Sequence, residues 1–188
     1  MNDQLGMKNF LTLTYDELEE RNFAARDKRD TVSPGEQEKE YRAYLEDEKR
    51  VKAVTLCFSD LEGRFHMLDY DKDYLLDSAD NLTFDGSSIH GFTSQRESDL
   101  RLQLDWTSFV WLPADLFGPG KVLLFANVLD REGDQYPSDF RGLLQKYLRE
   151  LKSTEGLTAN VSAEIEGIVV EGVNAEQHFD EKKGFKLI

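Results

Sequence analysis

Between Val51 and Asp130 the apolar residues fall in a period-two rhythm, which limits the possible folds more than any other feature. Val54, Leu56 and Phe58 alternate with Ala53, Thr55 and Cys57. Successive strand side chains point to opposite faces, so this stretch reads as a strand with two distinct faces. Asp60-Leu61-Glu62-Gly63 is turn chemistry, and Phe65-His66-Met67-Leu68 resumes an extended run, which predicts a hairpin. Further on, Leu100, Leu102 and Leu104 alternate with Arg101, Gln103 and Asp105, the mark of a half-buried strand. Val122 to Ala126 is continuously apolar, as expected of a central strand. A short helix is expected over Asp71 to Ser78. Strands around a small helix predict a compact α+β domain.

The flanks differ. Thr14-Tyr15-Asp16-Glu17 and Ser33-Pro34-Gly35-Glu36 read as two capping boxes, the second with proline at the first helical position. The helix after Ser33 carries Tyr41, Tyr44 and Leu45 on one side. So narrow a stripe places it on a surface or against a neighbouring subunit, or leaves it as a solvated extension. On the other flank, Ser138 is expected to cap a helix with apolar residues at Phe140, Leu143, Leu144, Tyr147, Leu148 and Leu151. That spacing is strongly amphipathic. Asn160 to Glu171 then reads as a strand. The chain ends on Gly184-Phe185-Lys186-Leu187-Ile188 without a polar tail, as expected of a piece of a longer protein.

Charge and cysteine usage narrow the function classes. Of the 188 residues, 23 are Lys or Arg and 37 are Asp or Glu, a formal charge of −14. Such a surface repels phosphate backbones and argues against nucleic-acid binding, while suiting cationic ligands and metal ions. No apolar run approaches a membrane span. With one cysteine, Cys57, and no secretory signal pattern, a cytoplasmic setting is expected.

Two acidic stretches stand out. Phe84-Asp85-Gly86-Ser87-Ser88-Ile89, followed by His90-Gly91-Phe92, packs a carboxylate, a glycine and two hydroxyls between apolar runs. Either it is a plain Asp-Gly turn, or Asp85 binds a cation or accepts a proton. No histidine pairs with either serine in the pattern, which leaves a nucleophilic serine poorly supported. In the second stretch, Glu164-Ile165-Glu166, residues two apart share one strand face. These carboxylates are either a solvated edge or part of a divalent-cation site. His66 and His178 read as packed or partly exposed side chains, His90 as a neighbour able to tune the Asp85 loop electrostatically, and Cys57 as a small apolar side chain. Gly118-Pro119-Gly120-Lys121 lacks the spacing of a phosphate loop.

Together the two stretches resemble the N-terminal part of glutamine synthetase. The resemblance rests on Phe84-Asp85-Gly86-Ser87-Ser88-Ile89, Gly91, Phe92, Glu97-Ser98-Asp99-Leu100, Asp139-Phe140-Arg141 and Ala163-Glu164-Ile165-Glu166, in that order. It departs from the family at Phe140, where a proline is usual, and at Gly167, where an aromatic is usual. It implies a β-grasp domain over residues 51–135 and, over 136–188, the first helix and strand of a catalytic α/β barrel. Residues 1–50 would be a helical extension. It implies ATP-dependent joining of glutamate and ammonia through a γ-glutamyl phosphate. Asp85 would be catalytic, and Asp85, Ser87, Ser88 and Asp99 would form the ammonium loop. Glu164 and Glu166 would hold Mg2+ or Mn2+, with the nucleotide ligands past Ile188. The implied assembly is a homo-oligomeric ring with active sites between subunits. Two alternatives stay open: a γ-glutamyl-amine ligase, and a non-catalytic module that co-assembles with intact enzyme.

Overall fold

A computed structural model describes residues 13–118, 120–172, 177 and 179–184; His178 lies outside them. Five strands carry the fold: β1 (Ala53–Ser59), β2 (Phe65–Asp71), β3 (Leu82–Asp85), β4 (Asp99–Trp111) and β5 (Lys121–Leu129). They form one mixed sheet in the order β2-β1-β5-β4-β3. The predicted hairpin is the antiparallel pair β1–β2, in register from Ala53 opposite Asp71 to Ser59 opposite Phe65. The continuous apolar run became β5, at the centre of the sheet. It lies parallel to β1 and antiparallel to β4. A strand paired on both edges and packed on both faces has little room for polar side chains, which explains its composition.

Among the described residues, five helices accompany the sheet: α1 (Tyr15–Thr31), α2 (Pro34–Asp47), α3 (Lys72–Ser78), the single turn α4 (Ala114–Phe117) and α5 (Phe140–Glu155). Both capping boxes are present, with Thr14 and Ser33 accepting from the amides of Glu17 and Glu36. The core joins Val54, Leu56 and Phe58 of β1 and Val122, Leu124 and Val128 of β5 to Leu18, Tyr41, Leu45 and Leu75 of the helices. The other face of the sheet carries a smaller cluster of Cys57, Leu112 and Leu123. Burial there pushes the Cys57 thiol up to about 12.

Three expectations are corrected. The stripe on α2 faces neither solvent nor another subunit. Tyr41 stacks on Phe109 of β4 with ring centroids 4.4 Å apart, and Leu45 is fully buried. Few apolar residues suffice because each is large and meets an aromatic cluster that includes Trp111. Asp139, not Ser138, opens α5: its carbonyl accepts from the Leu143 amide at 3.0 Å. Its carboxylate accepts from the amides of Val128, Gly142 and Arg141. Finally, the segment read as a strand, 160–171, has no regular strand structure; its residues up to 169 are exposed, and only an isolated bridge residue stands at Val170. Its alternation suits a strand, but an extended segment needs a hydrogen-bonded neighbour to persist. The chain divides into two compact units, residues 1–150 and 151–188.

Candidate functional site

The Asp85 loop begins where β3 ends. Gly86–Ser88 form a 3-10 turn, and the Gly86 amide donates to the Ser98 carbonyl at 2.7 Å. The glycine is required by space: a β-carbon there would lie 2.7 Å from Leu100 Cδ1 and 2.9 Å from Thr93 Cγ2. Asp85 Oδ1 accepts from the Ser87 amide at 2.9 Å and the Ser87 hydroxyl at 2.6 Å. Oδ2 accepts from the Ser88 hydroxyl at 2.6 Å. Both serines therefore serve the carboxylate. Their side-chain hydrogen bonds hold the Asp85 carboxyl below the usual aspartate range. The group is an anion at neutral pH, with acceptor capacity left for another donor.

Asp99 stands directly opposite Asp85 in the β3–β4 register. Asp99 also lines an open cleft of about 600 Å³ with Arg96, Glu97, Asp130, Arg131 and Tyr136. Thus Asp85, Ser87, Ser88 and Asp99, read separately from the sequence, occupy one end of the sheet.

Aromatic packing supports the loop from below. Phe58 lies 4.7 Å from Phe84 and 6.2 Å from Phe92, and Phe92 lies 5.4 Å from Tyr136. His66 stacks on Phe58, and its Nε2 lies 2.7 Å from Asp60 Oδ2. Asp60 in turn accepts from the amides of Glu62 and Arg64, which pins the β1–β2 turn. His90 Nδ1 lies 3.5 Å from Glu62 Oε1 in an exposed pair. His66 is thus packed, as the sequence suggested, whereas His90 is exposed.

Arg141 makes a second cross-link. Its guanidinium donates to Asp105 Oδ2 at 2.5 Å and Asn127 Oδ1 at 2.6 Å, tying α5 to β4 and β5. Asp105 occupies the bulge of β4, where its Oδ1 accepts from the amide and hydroxyl of Thr107. Burial pushes its carboxyl up, but the bonds from Thr107 and Arg141 outweigh burial and hold it low. The sequence pattern marked Asp139 and Arg141 but did not reveal Asp105 or Tyr136. Their partners lie 36 and 44 residues away, at separations that periodicity does not register.

Glu164 and Glu166 are exposed in the irregular segment. No three His, Cys, Asp or Glu side chains converge as a metal cluster among the described residues. A hard divalent cation takes six or more oxygen ligands, so a Mg2+ or Mn2+ centre at these two carboxylates needs further ligands from elsewhere. No helix among the described residues is long and apolar enough to cross a membrane.

Comparison with known proteins agrees with this geometry. Residues 50–131 match the family described as glutamine synthetase, beta-Grasp domain. Glutamine synthetase of Thermotoga maritima is 29% identical over 125 residues, covering 66% of this chain and 28% of the relative. That of Staphylococcus aureus is 32% identical over 125 residues, covering 64% and 27%. The chain thus spans less than a third of the length of these relatives. Among solved structures, the cryo-EM structure of Plasmodium falciparum glutamine synthetase aligns with a TM-score of 0.53 at 21% identity, covering 61% of this chain and 22% of that one. A GmaS–ADP complex aligns at 0.52 and 24% identity, covering 59% and 25%. At such identities these two structures speak to the fold alone. The five-stranded sheet, the family match and the curated relatives coincide on one stretch: residues 50–131 match the β-grasp domain of glutamine synthetase.

Proposed function

We propose that the chain supplies the ammonium-binding half of a glutamine synthetase-like active site, in which ATP-dependent chemistry joins ammonia to glutamate through a γ-glutamyl phosphate. The observation that supports this most is the Asp85 carboxylate, kept ionised by Ser87 and Ser88 and set opposite Asp99. The ionised Asp85 carboxylate attracts a small cation. Asp85 is better suited to hold ammonium than to keep its proton, because a carboxyl held low is a weak base. Ammonium has no lone pair, so one proton passes first to an Asp85 carboxylate oxygen; the ammonia so formed attacks the γ-glutamyl carbonyl carbon and expels phosphate, and the low carboxyl releases its proton to solvent. Residues 136–188 open the catalytic domain in this reading. Glu164 and Glu166 contribute to a metal site that other residues complete, and the active sites lie between subunits of a ring.

Titrating the chain with ammonium chloride against sodium chloride at equal ionic strength tests the reading by NMR. Ammonium should selectively shift the Ser87 and Ser88 amides and the Asp85 carboxyl carbon. Asp85→Asn should abolish that selectivity. Equal responses to the two cations in the native chain would refute it.

One observation favours a second reading. Phe140, Leu143, Leu144 and Tyr147 of α5 are exposed, whereas Arg141 is turned to the sheet. A non-catalytic module that co-assembles with intact enzyme would have such a surface. Mixing the chain with intact glutamine synthetase and following ring mass and activity separates the readings: unchanged mass and activity would remove the second.

A further inference from the structure

The Asp85 loop is held unequally at its two ends. At the near end, the β3–β4 ladder and the bond from Gly86 to Ser98 fix the backbone. At the far end, Phe92 closes a turn by donating its amide to the Ile89 carbonyl at 3.1 Å. The Phe92 carbonyl accepts from the Tyr136 hydroxyl at 2.8 Å, across 44 residues. Tyr136 is itself anchored on two sides. Its amide donates to the Val128 carbonyl of β5, and its carbonyl accepts from the amide of Asp139, the residue that opens α5; both distances are 3.0 Å. Its ring packs on Phe92, which is 2% exposed and touches the Phe58–Phe84 cluster beneath Asp85. A hydroxyl with both its ring and its backbone fixed is a rigid reference point, which is what a positioned loop needs.

We propose that Tyr136 is a positioning residue for the Asp85 loop, its hydroxyl latching the closing turn to the segment that leads into α5. This rests on the reading of the loop as an ammonium site, and it names a residue that reading does not contain. The latch also links the loop to the start of the next domain, since one residue bonds to both. Loss of the hydroxyl frees Phe92 and lets the Ser87 and Ser88 turn loosen around Asp85.

The test compares Tyr136→Phe with Tyr15→Phe in the native 188-residue chain. Tyr15 donates to Asp115 at 2.6 Å, away from the loop, and controls for loss of a tyrosine hydrogen bond in general. In Tyr136→Phe, amide exchange over residues 87–92 should rise about tenfold, equivalent to roughly 1.4 kcal/mol. The carboxyl-carbon titration midpoint of Asp85 should move up towards the ordinary aspartate range as its serine bonds weaken. Tyr15→Phe should move neither. Unchanged exchange and titration in Tyr136→Phe, or equal changes in both variants, would overturn the proposal. Global unfolding of Tyr136→Phe would also overturn it, by assigning the hydroxyl to domain stability. No ammonium is present, so this result is independent of whether Asp85 binds that cation.

Discussion

At the scale of single residues, the site depends on very short side chains doing opposite jobs. Ser87 and Ser88 both donate their hydroxyl protons to Asp85, which fixes the carboxylate. Gly86 has no side chain because Leu100 and Thr93 occupy the space. Gly86→Ala should cost about 1–3 kcal/mol in urea unfolding, the usual range for overpacking, and should disturb the loop first. Asp139 is the other sensitive position. Burial pushes its carboxyl above the ordinary aspartate range, against the pull of the Gly142, Val128 and Arg141 amides. Asp139→Ala should lose about 2–3 kcal/mol, because it removes a helix cap and leaves the buried Val128 amide without its acceptor. Thermal unfolding followed by circular dichroism measures that loss.

At the scale of elements, legibility followed locality. Both capping boxes, the β1–β2 hairpin and the alternation of β4 depend on residues a few positions apart, and all three could be read from the sequence. The burial of α2 could not. Tyr41 is anchored by Phe109, 68 positions later, and nothing in the helix itself marks that partner. Tyr41→Ala should therefore destabilise the domain by about 3–5 kcal/mol, as for a buried aromatic, where a solvated helix would lose almost nothing. The segment 160–171 failed in the opposite direction. Its local pattern favours a strand, but no neighbouring strand pairs with it among the described residues. The Asp85 loop was half legible: its residues were evident in order, but the opposition of Asp85 and Asp99 appeared only with the register. α5 supplies a third test. Tyr147→Lys on its exposed face should change stability by no more than about 0.5 kcal/mol while reducing any co-assembly with intact glutamine synthetase in sedimentation.

At the scale of the whole molecule, acid is the expected weakness. Hydrogen bonds from Lys121 and Thr55 hold Asp69 low, and the His66 bond does so for Asp60. The Arg50 bond holds Glu48 low, and Asp105 is low for the reasons given above. A carboxyl depressed in the folded state contributes stability above its unfolded value, and that contribution is lost as pH falls through the folded value. Urea midpoints should therefore fall steeply below about pH 4, the unfolded carboxyl range. Asp139 has the opposite sign: its contribution is complete below the unfolded value and fades as pH rises through the folded one. The acid limb should persist in the Asp139→Ala variant. Assayed alone with glutamate, ammonia and ATP, the chain should form no glutamine, since Glu164 and Glu166 by themselves are too few to hold a divalent metal.

The position of β5 has a kinetic consequence. The middle strand of the sheet is the last of the five in the chain, and it separates β1 from β4. Until Lys121–Leu129 has been synthesised, the β1–β2 hairpin has no neighbour on its other side, and β3–β4 is a detached ribbon. Pairing β1 with β5 closes a loop from Ala53 to Lys121, a long-range contact of the kind that slows folding. On the ribosome, the two halves should wait with apolar faces exposed and then consolidate in one cooperative step. Nascent chains that stop before Lys121 should bind chaperones and be cleaved readily by protease, whereas chains extended past α5 should resist cleavage up to Leu129.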